Sequence, residues 1–219
     1  GTVHLHLTTS TLGIMRRLFK GLFLVITVVL VGLANSPRVW ADDAAPVNRW
    51  KTTVNLSSDG LAHIEHEFEM DFSKVEGRGP VIAFPERQRT NIEREWLNFG
   101  ISNIDVSSPS GANSETKISH EDGNVSIRVG EKNTVYHVPQ TYRISYDITG
   151  LIATNNSQSG LDEFSWNPIA GGKSEIRNFQ VIITGPADIS KTACWRTRDL
   201  KTPCTSSASG TTASYSVDT

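Results

Sequence analysis

From Trp50 to Phe72 apolar and polar residues alternate along the chain. Trp50, Thr52, Val54 and Leu56 are separated by Lys51, Thr53 and Asn55, and Ser57-Ser58-Asp59-Gly60 then supplies turn chemistry. Ala62, Ile64, Phe68, Met70 and Phe72 follow on one parity, with His63, Glu65, Glu67, Glu69 and Asp71 on the other. A helix would scatter these apolar groups around its axis, whereas a strand gathers them on one side. The two runs predict a hairpin with one buried face. His66 falls on the apolar parity and is expected inside, hydrogen-bonded.

The pattern breaks between Ser73 and Arg94, where Gly77, Gly79, Pro80 and Pro85 precede the charged run Glu86-Arg87-Gln88-Arg89. A long loop is expected there, carrying a short strand at Val81–Phe84. Apolar parity then shifts from Leu97, Phe99 and Ile101 to Ile104 and Val106, which predicts a strand with a bulge near Ser102-Asn103. Ser107 to Asn113 reads as a turn-rich link. Val125, Ile127 and Val129 mark another strand, and Tyr142, Ile144, Tyr146 and Ile148 mark the most regular one. After a polar loop from Ala153 to Gly160 come short strands at Phe164–Trp166 and Phe179–Ile183. No part of residues 42–219 shows helical periodicity. Strands at this spacing, with Gly, Pro and Asn between them, predict an all-β, antiparallel, β-sandwich-like single domain. The Ser/Thr-rich stretch 205–219 fits either a last strand or the start of a linker, so the domain is drawn at 42–204.

The first 41 residues differ in kind. They carry Arg16, Arg17, Lys20 and Arg38 and no Asp or Glu. Met15 to Lys20 forms a positive n-region, and Gly21 to Ala34 is apolar except for Thr27. These 14 residues are short for a bilayer span. Val39-Trp40-Ala41 places small residues at the −3 and −1 positions, so residues 15–41 read as a signal peptide cleaved between Ala41 and Asp42, with an uncleaved anchor helix as the alternative. Residues 1–14 read as an upstream extension or a mis-set start. Subtracting the four basic residues from 21 leaves 17 against all 23 acidic ones, a net of about −6 for the rest. That balance argues against a nucleic-acid partner, which would need a basic face.

Cys194 and Cys204 are the two cysteines, both in the exported part. An even count in an oxidising compartment predicts a disulfide closing a local loop. Without nearby histidines the pair makes a poor zinc site. His63, Glu65 and Glu67 share a strand face and could in principle meet a cation. They lack the His-Glu-x-x-His spacing of zinc proteases, and a solvated polar face is the expected reading. Ala170-Gly171-Gly172-Lys173-Ser174 ends like a phosphate-binding loop, yet Asn167 stands where the motif's first glycine belongs. Asp162-Glu163 and Glu121-Asp122 are sequence neighbours, which point to opposite faces of a strand and cannot flank one glycosidic bond. No Gly-x-Ser-x-Gly elbow is present. Neither an enzyme nor a cofactor or metal site is therefore expected. Phe164, Trp166, Trp195 and Trp96 could form a sugar-stacking platform, but core packing is the commoner fate of such residues.

Several phrases occur together in order: Asp59-Gly60 before an acidic alternating strand, Ile127-Arg128-Val129-Gly130, Thr141-Tyr142-Arg143-Ile144-Ser145-Tyr146, and Asp162-Glu163-Phe164-Ser165-Trp166-Asn167. The series resembles the amino-terminal domain of the bacterial domain-of-unknown-function 2207 (DUF2207) family of predicted membrane proteins, over roughly residues 48–190. Where such proteins carry a Gly-Ile-x-Arg phrase, this chain has Gly79-Pro80-Val81-Ile82. The resemblance implies an extracytoplasmic domain of a membrane-anchored envelope protein, tethered through segments beyond Thr219. Its expected role is binding or structural, toward an envelope or cell-wall partner. The alternative is a secreted carbohydrate- or cell-wall-binding module using exposed aromatics.

Overall fold

The computed structural model describes residues 44–89, 96–155, 160–168, 174–196 and 201–217. Residues 15–41, expected from the sequence to be a signal peptide, and the expected Ala41–Asp42 cleavage junction lie outside the described residues. What is described is all-β.

Seven strands form the main sheet: β1 (Val47–Leu56), β2 (Ala62–Met70), β6 (Gly100–Ser107), β9 (Gln140–Thr149), β12 (Phe179–Thr184), β13 (Thr205–Ser209) and β14 (Thr212–Val217). Their spatial order is β13-β14-β12-β1-β2-β9-β6. A second sheet places β8 (Asn124–Val129) between β3 (Val81–Pro85) and β7 (Thr116–Glu121). Two short ribbons complete the set, β4 (Arg87–Arg89) with β5 (Trp96–Asn98), and β10 (Ile152–Ala153) with β11 (Glu163–Phe164).

The expected hairpin is β1–β2, in which Trp50 faces Phe68, Thr52 faces His66 and Val54 faces Ile64. Its turn is held by local polar groups: Leu61 N–H donates to Asp59 Oδ1 at 3.2 Å, Ser57 N–H donates to the Leu61 carbonyl at 2.9 Å, and Gly60 takes φ 87°. Only glycine adopts that angle without a Cβ penalty. All pairs follow the antiparallel expectation except β1–β12, which run parallel in register from Trp50↔Phe179 to Asn55↔Thr184. A parallel pair needs a long crossover, and the chain between β1 and β12 supplies it.

The core lies between the two sheets. Phe84 of β3 stacks on His66 with centroids 5.5 Å apart and meets Tyr146 at 4.6 Å. Val125, Ile127 and Val129 of β8 are buried with Ile64, Phe68, Tyr142 and Ile144 of the main sheet. The architecture is thus sandwich-like, with the smaller sheet covering part of the larger one.

Four details differ from the sequence reading. The charged run at Arg87–Arg89, expected in a loop, pairs as β4 with β5. Thr116–Glu121 forms β7, whose half-exposed edge position hides the apolar alternation that would announce it. Only Glu163 and Phe164 pair as β11, because β10 offers two partners, and Trp166 lies beyond the ladder. Finally, the stretch from 205 is not a linker and the domain does not stop at 204: β13 and β14 form a hairpin that joins β12. Ala213, Tyr215 and Val217 point into the core, while Ser and Thr occupy the other parity and lower the hydrophobic signal. The predicted bulge is present, with the register of β6 on β9 breaking between Ser102 and Asp105 and Asn103 at φ 53°.

Candidate functional site

Cross-strand pairing on the open face of the main sheet sets charge against charge. Glu67 accepts from Arg143 at 2.7 Å and from Arg49 at 3.0 Å. The Arg143 hydrogen bond, then that of Arg49, lowers the Glu67 carboxyl below its ordinary value. Arg49 reaches Glu69 at 3.6 Å and Arg143 reaches Glu65 at 3.7 Å. His63 Nδ1 lies 2.7 Å from Asp147 Oδ1, and Asn103 Nδ2 donates to Asp147 Oδ2 at 2.7 Å. The Asn103 bond, then that of His63, lowers the Asp147 carboxyl. The candidate cation ligands His63, Glu65 and Glu67 are therefore each engaged by a neighbour and converge on no common point. Among the described residues no group of three His, Cys, Asp or Glu side chains is placed to hold a metal.

The other face of β2 buries His66 completely. Thr52 Oγ1 lies 2.8 Å from His66 Nδ1, and Trp50 Nε1 lies 3.0 Å from that hydroxyl and 3.3 Å from the ring nitrogen. An indole N–H can only donate, so Trp50 donates toward Thr52 and His66, and the Thr52 hydroxyl donates a hydrogen bond to Nδ1. Nδ1 is then the acceptor, and Nε2–H donates to the Tyr146 hydroxyl at 3.1 Å. Burial pushes the imidazole down to about 3, so His66 is neutral at any ordinary pH. Burial likewise raises the phenol of Tyr146. The ring is enclosed by Trp50 at 5.4 Å, Phe84 at 5.5 Å and Trp166 at 5.9 Å. Nothing soluble reaches it, which makes it a polar bolt through the core.

Beside Trp166 lies an apolar hollow lined by Phe164, Trp166, Pro168, Val181, Ile183, Cys194 and Tyr215, of ≈ 10 Å³. That is the room of roughly one water, well short of a small-molecule pocket. Cys194 and Cys204 are joined, with Cα atoms 5.4 Å apart. Cys204 N–H donates to the Cys194 carbonyl at 3.1 Å and Arg196 N–H to the Thr202 carbonyl at 2.7 Å, so the bond closes a hydrogen-bonded arm leading into β13. The disulfide thereby fastens one wall of the hollow.

Of the proposed sugar-stacking residues, Trp166 is buried, and Phe164 and Trp195 are half-buried. Phe164 packs 6.3 Å from Trp166. The Trp96 side chain and Ala170–Lys173 lie outside the described residues. Asp162 accepts from the Asn155 backbone N–H at 2.8 Å, and Glu121 with Asp122 borders the β7–β8 turn, where Asp122 takes φ 53°. Sequence reasoning did not find the Trp50–Thr52–His66–Tyr146 chain as a unit. Its signal was present in the parity, since Thr52, His66 and Tyr146 all fall on apolar positions of their strands.

Comparison with solved structures returns only low overlap. An M1 zinc metallopeptidase from Deinococcus radiodurans gives TM-score 0.40 at 9% identity, covering 80% of this chain and 38% of that one. Native yeast LTA4 hydrolase gives 0.38 at 8%, covering 78% and 28%. A putative protease from Parabacteroides distasonis gives 0.36 at 9%, covering 80% and 35%. The chain thus spans less than two fifths of each, and likeness at this level assigns no activity. No curated protein matches the chain. Residues 47–219 match the family described as "Predicted membrane protein (DUF2207) N-terminal domain", a span that includes the β13–β14 hairpin. The chain therefore belongs to the DUF2207 family of predicted membrane proteins and carries that family's N-terminal domain.

Proposed function

We propose that this domain works outside the cytoplasm as a binding or structural module of a membrane-anchored envelope protein, and that it is not an enzyme. The Cys194–Cys204 disulfide carries the location, because such bonds persist in oxidising compartments and are rare in the cytosol. The signal-like pattern of residues 15–41 and the family's membrane character support it. The non-catalytic role is supported by the open face, where the titratable groups bind one another, and by a hollow too small for a substrate. Its partner is an envelope or cell-wall component.

Two measurements on exported material and one on intact spheroplasts test this reading. Non-reducing peptide mapping should find Cys194 joined to Cys204, and amino-terminal analysis should begin at Asp42. Free thiols in both positions would remove the argument for an oxidising compartment. A protein protected from added protease in intact spheroplasts would place the domain on the wrong side of the membrane.

A further inference from the structure

Strand registers fix which loops share an end of the main sheet. The chain enters β1 at Val47, opposite Met70 at the close of β2, and Met70 pairs with Gln140 at the start of β9. Phe179, which opens β12, pairs with Val217, which closes β14. Entry, exit and the loops 71–80 and 131–139 therefore lie at one end, and the Ser57–Gly60 turn lies at the other. The two loops are tied together: Tyr136 N–H donates to the Gly77 carbonyl at 2.8 Å, and Phe72 packs on Tyr136 at 6.1 Å.

This end gathers exposed apolar side chains. Five large hydrophobics are exposed among the described residues, and three border it: Val81 at 61%, Val135 at 37% and Val138 at 57%. Ile118 sits in mid-strand of β7, and Leu161 follows β10, toward the far end. A lone exposed valine needs no explanation, but exposed valines gathered where the chain both enters and leaves share a cause. Lys74, Arg78, Lys132 and His137 are exposed beside them, accompanied by Glu76 and Glu131. Charge is close to balanced, so the attraction this end offers is apolar, with long cationic side chains able to reach phosphate groups above it.

We infer that this end of the sheet rests on the bilayer that anchors the protein, with Val135 and Val138 entering the boundary between headgroups and acyl chains. The inference rests on the membrane-anchored reading above and adds an orientation to it. The main sheet stands upright on the lipid, and the Ser57–Gly60 turn points away.

The test uses the full-length protein, its native disulfide closed, with an environment-sensitive fluorophore on Val138→Cys or on Ser58→Cys. Each is reconstituted in vesicles of phosphatidylethanolamine and phosphatidylglycerol containing doxyl-labelled lipid. The probe at 138 should shift to the blue and lose intensity to the doxyl groups, and the probe at 58 should do neither. Adding Val135→Asp should abolish quenching at 138 while the protein still floats with the vesicles and melts at an unchanged temperature. Flotation without quenching at 138 overturns the docking and leaves the anchoring intact. Quenching at 58 in place of 138 reverses the orientation and overturns it too. A protein that does not float overturns both readings.

Discussion

His63 and His66 stand three residues apart on β2 and have almost nothing in common. His63 is half-exposed and lies 2.7 Å from a carboxylate, within a row of side chains that water also reaches. His66 is fully buried, bonded to Thr52 and Tyr146, and enclosed by aromatic rings. The residue type is the same, and the pleat sends one side chain to each face. On the open face electrostatics decides the neighbours and contributes little to stability. On the buried face Trp50, Thr52, His66 and Tyr146 bond to one another, the buried Tyr142 hydroxyl is left without a hydrogen-bond partner among the described residues, and packing carries the energy. Predictions that separate the faces run from large effects on the inner side to small ones on the outer.

The largest concerns Trp166, which is buried against His66 and Phe164. Trp166→Ala should cost about 3–5 kcal/mol through lost burial and the cavity left behind. Thermal denaturation measures it directly. An unchanged melting temperature would show that the ring is not core, and would move the carbohydrate-stacking alternative to first place.

Next is the disulfide beside the same hollow. Replacing Cys194 and Cys204 together by Ala removes a closure spanning ten residues, for which chain-entropy arguments give about 2.7 kcal/mol. Chemical denaturation of the double variant should show that loss. Because Cys194 and Trp166 line one hollow, combining the changes should cost less than their sum. Full additivity would mean that the two do not share a packing unit.

His66 couples folding to pH. The folded value of His66 lies at about 3, below an unfolded value near 6.5, so the unfolded chain takes up a proton that the folded chain refuses. Stability from this group is complete above pH 6.5 and falls as pH drops toward 3. Between pH 7 and pH 5 the loss should be about 2 kcal/mol. Urea unfolding at the two pH values measures it. His66→Gln should flatten that dependence. If that variant keeps the full slope, another group is responsible.

Much of the inner face was legible in the sequence, and the reason is the period of two. Trp50 through Phe72 and Tyr142 through Ile148 announce their strands, and the parity shift at Ser102-Asn103 announces the bulge. The outer and edge elements were less legible. β7 carries Ile118 in a half-exposed row of polar residues, and β13 is built of Thr, Ser and Ala. Pairing at an edge needs a partner's backbone more than an apolar side chain, so composition says little about it. The partners of the open face were not readable either. That Glu67 meets both Arg49 and Arg143 depends on β1 and β9 flanking β2, which is a fact of topology.

That open-face cluster gives the smallest prediction. Glu67 bridges two arginines whose side chains are 48% and 44% exposed. Glu67→Gln removes the charge and keeps the shape, and both guanidinium groups can turn to water or to their second partners, Glu69 and Glu65. Exposed pairs of this kind contribute about 0.2–1 kcal/mol, and salt screens them further. Unfolding at low salt should therefore show a loss inside that range, shrinking in about 0.5 M NaCl, where the screening length is only a few ångströms. A loss above about 2 kcal/mol, insensitive to salt, would place Glu67 among charges cut off from water, since breaking a buried pair costs that much and more. The open face would then be covered by another part of the protein, and the contrast between the two sides of β2 would be one between two interiors.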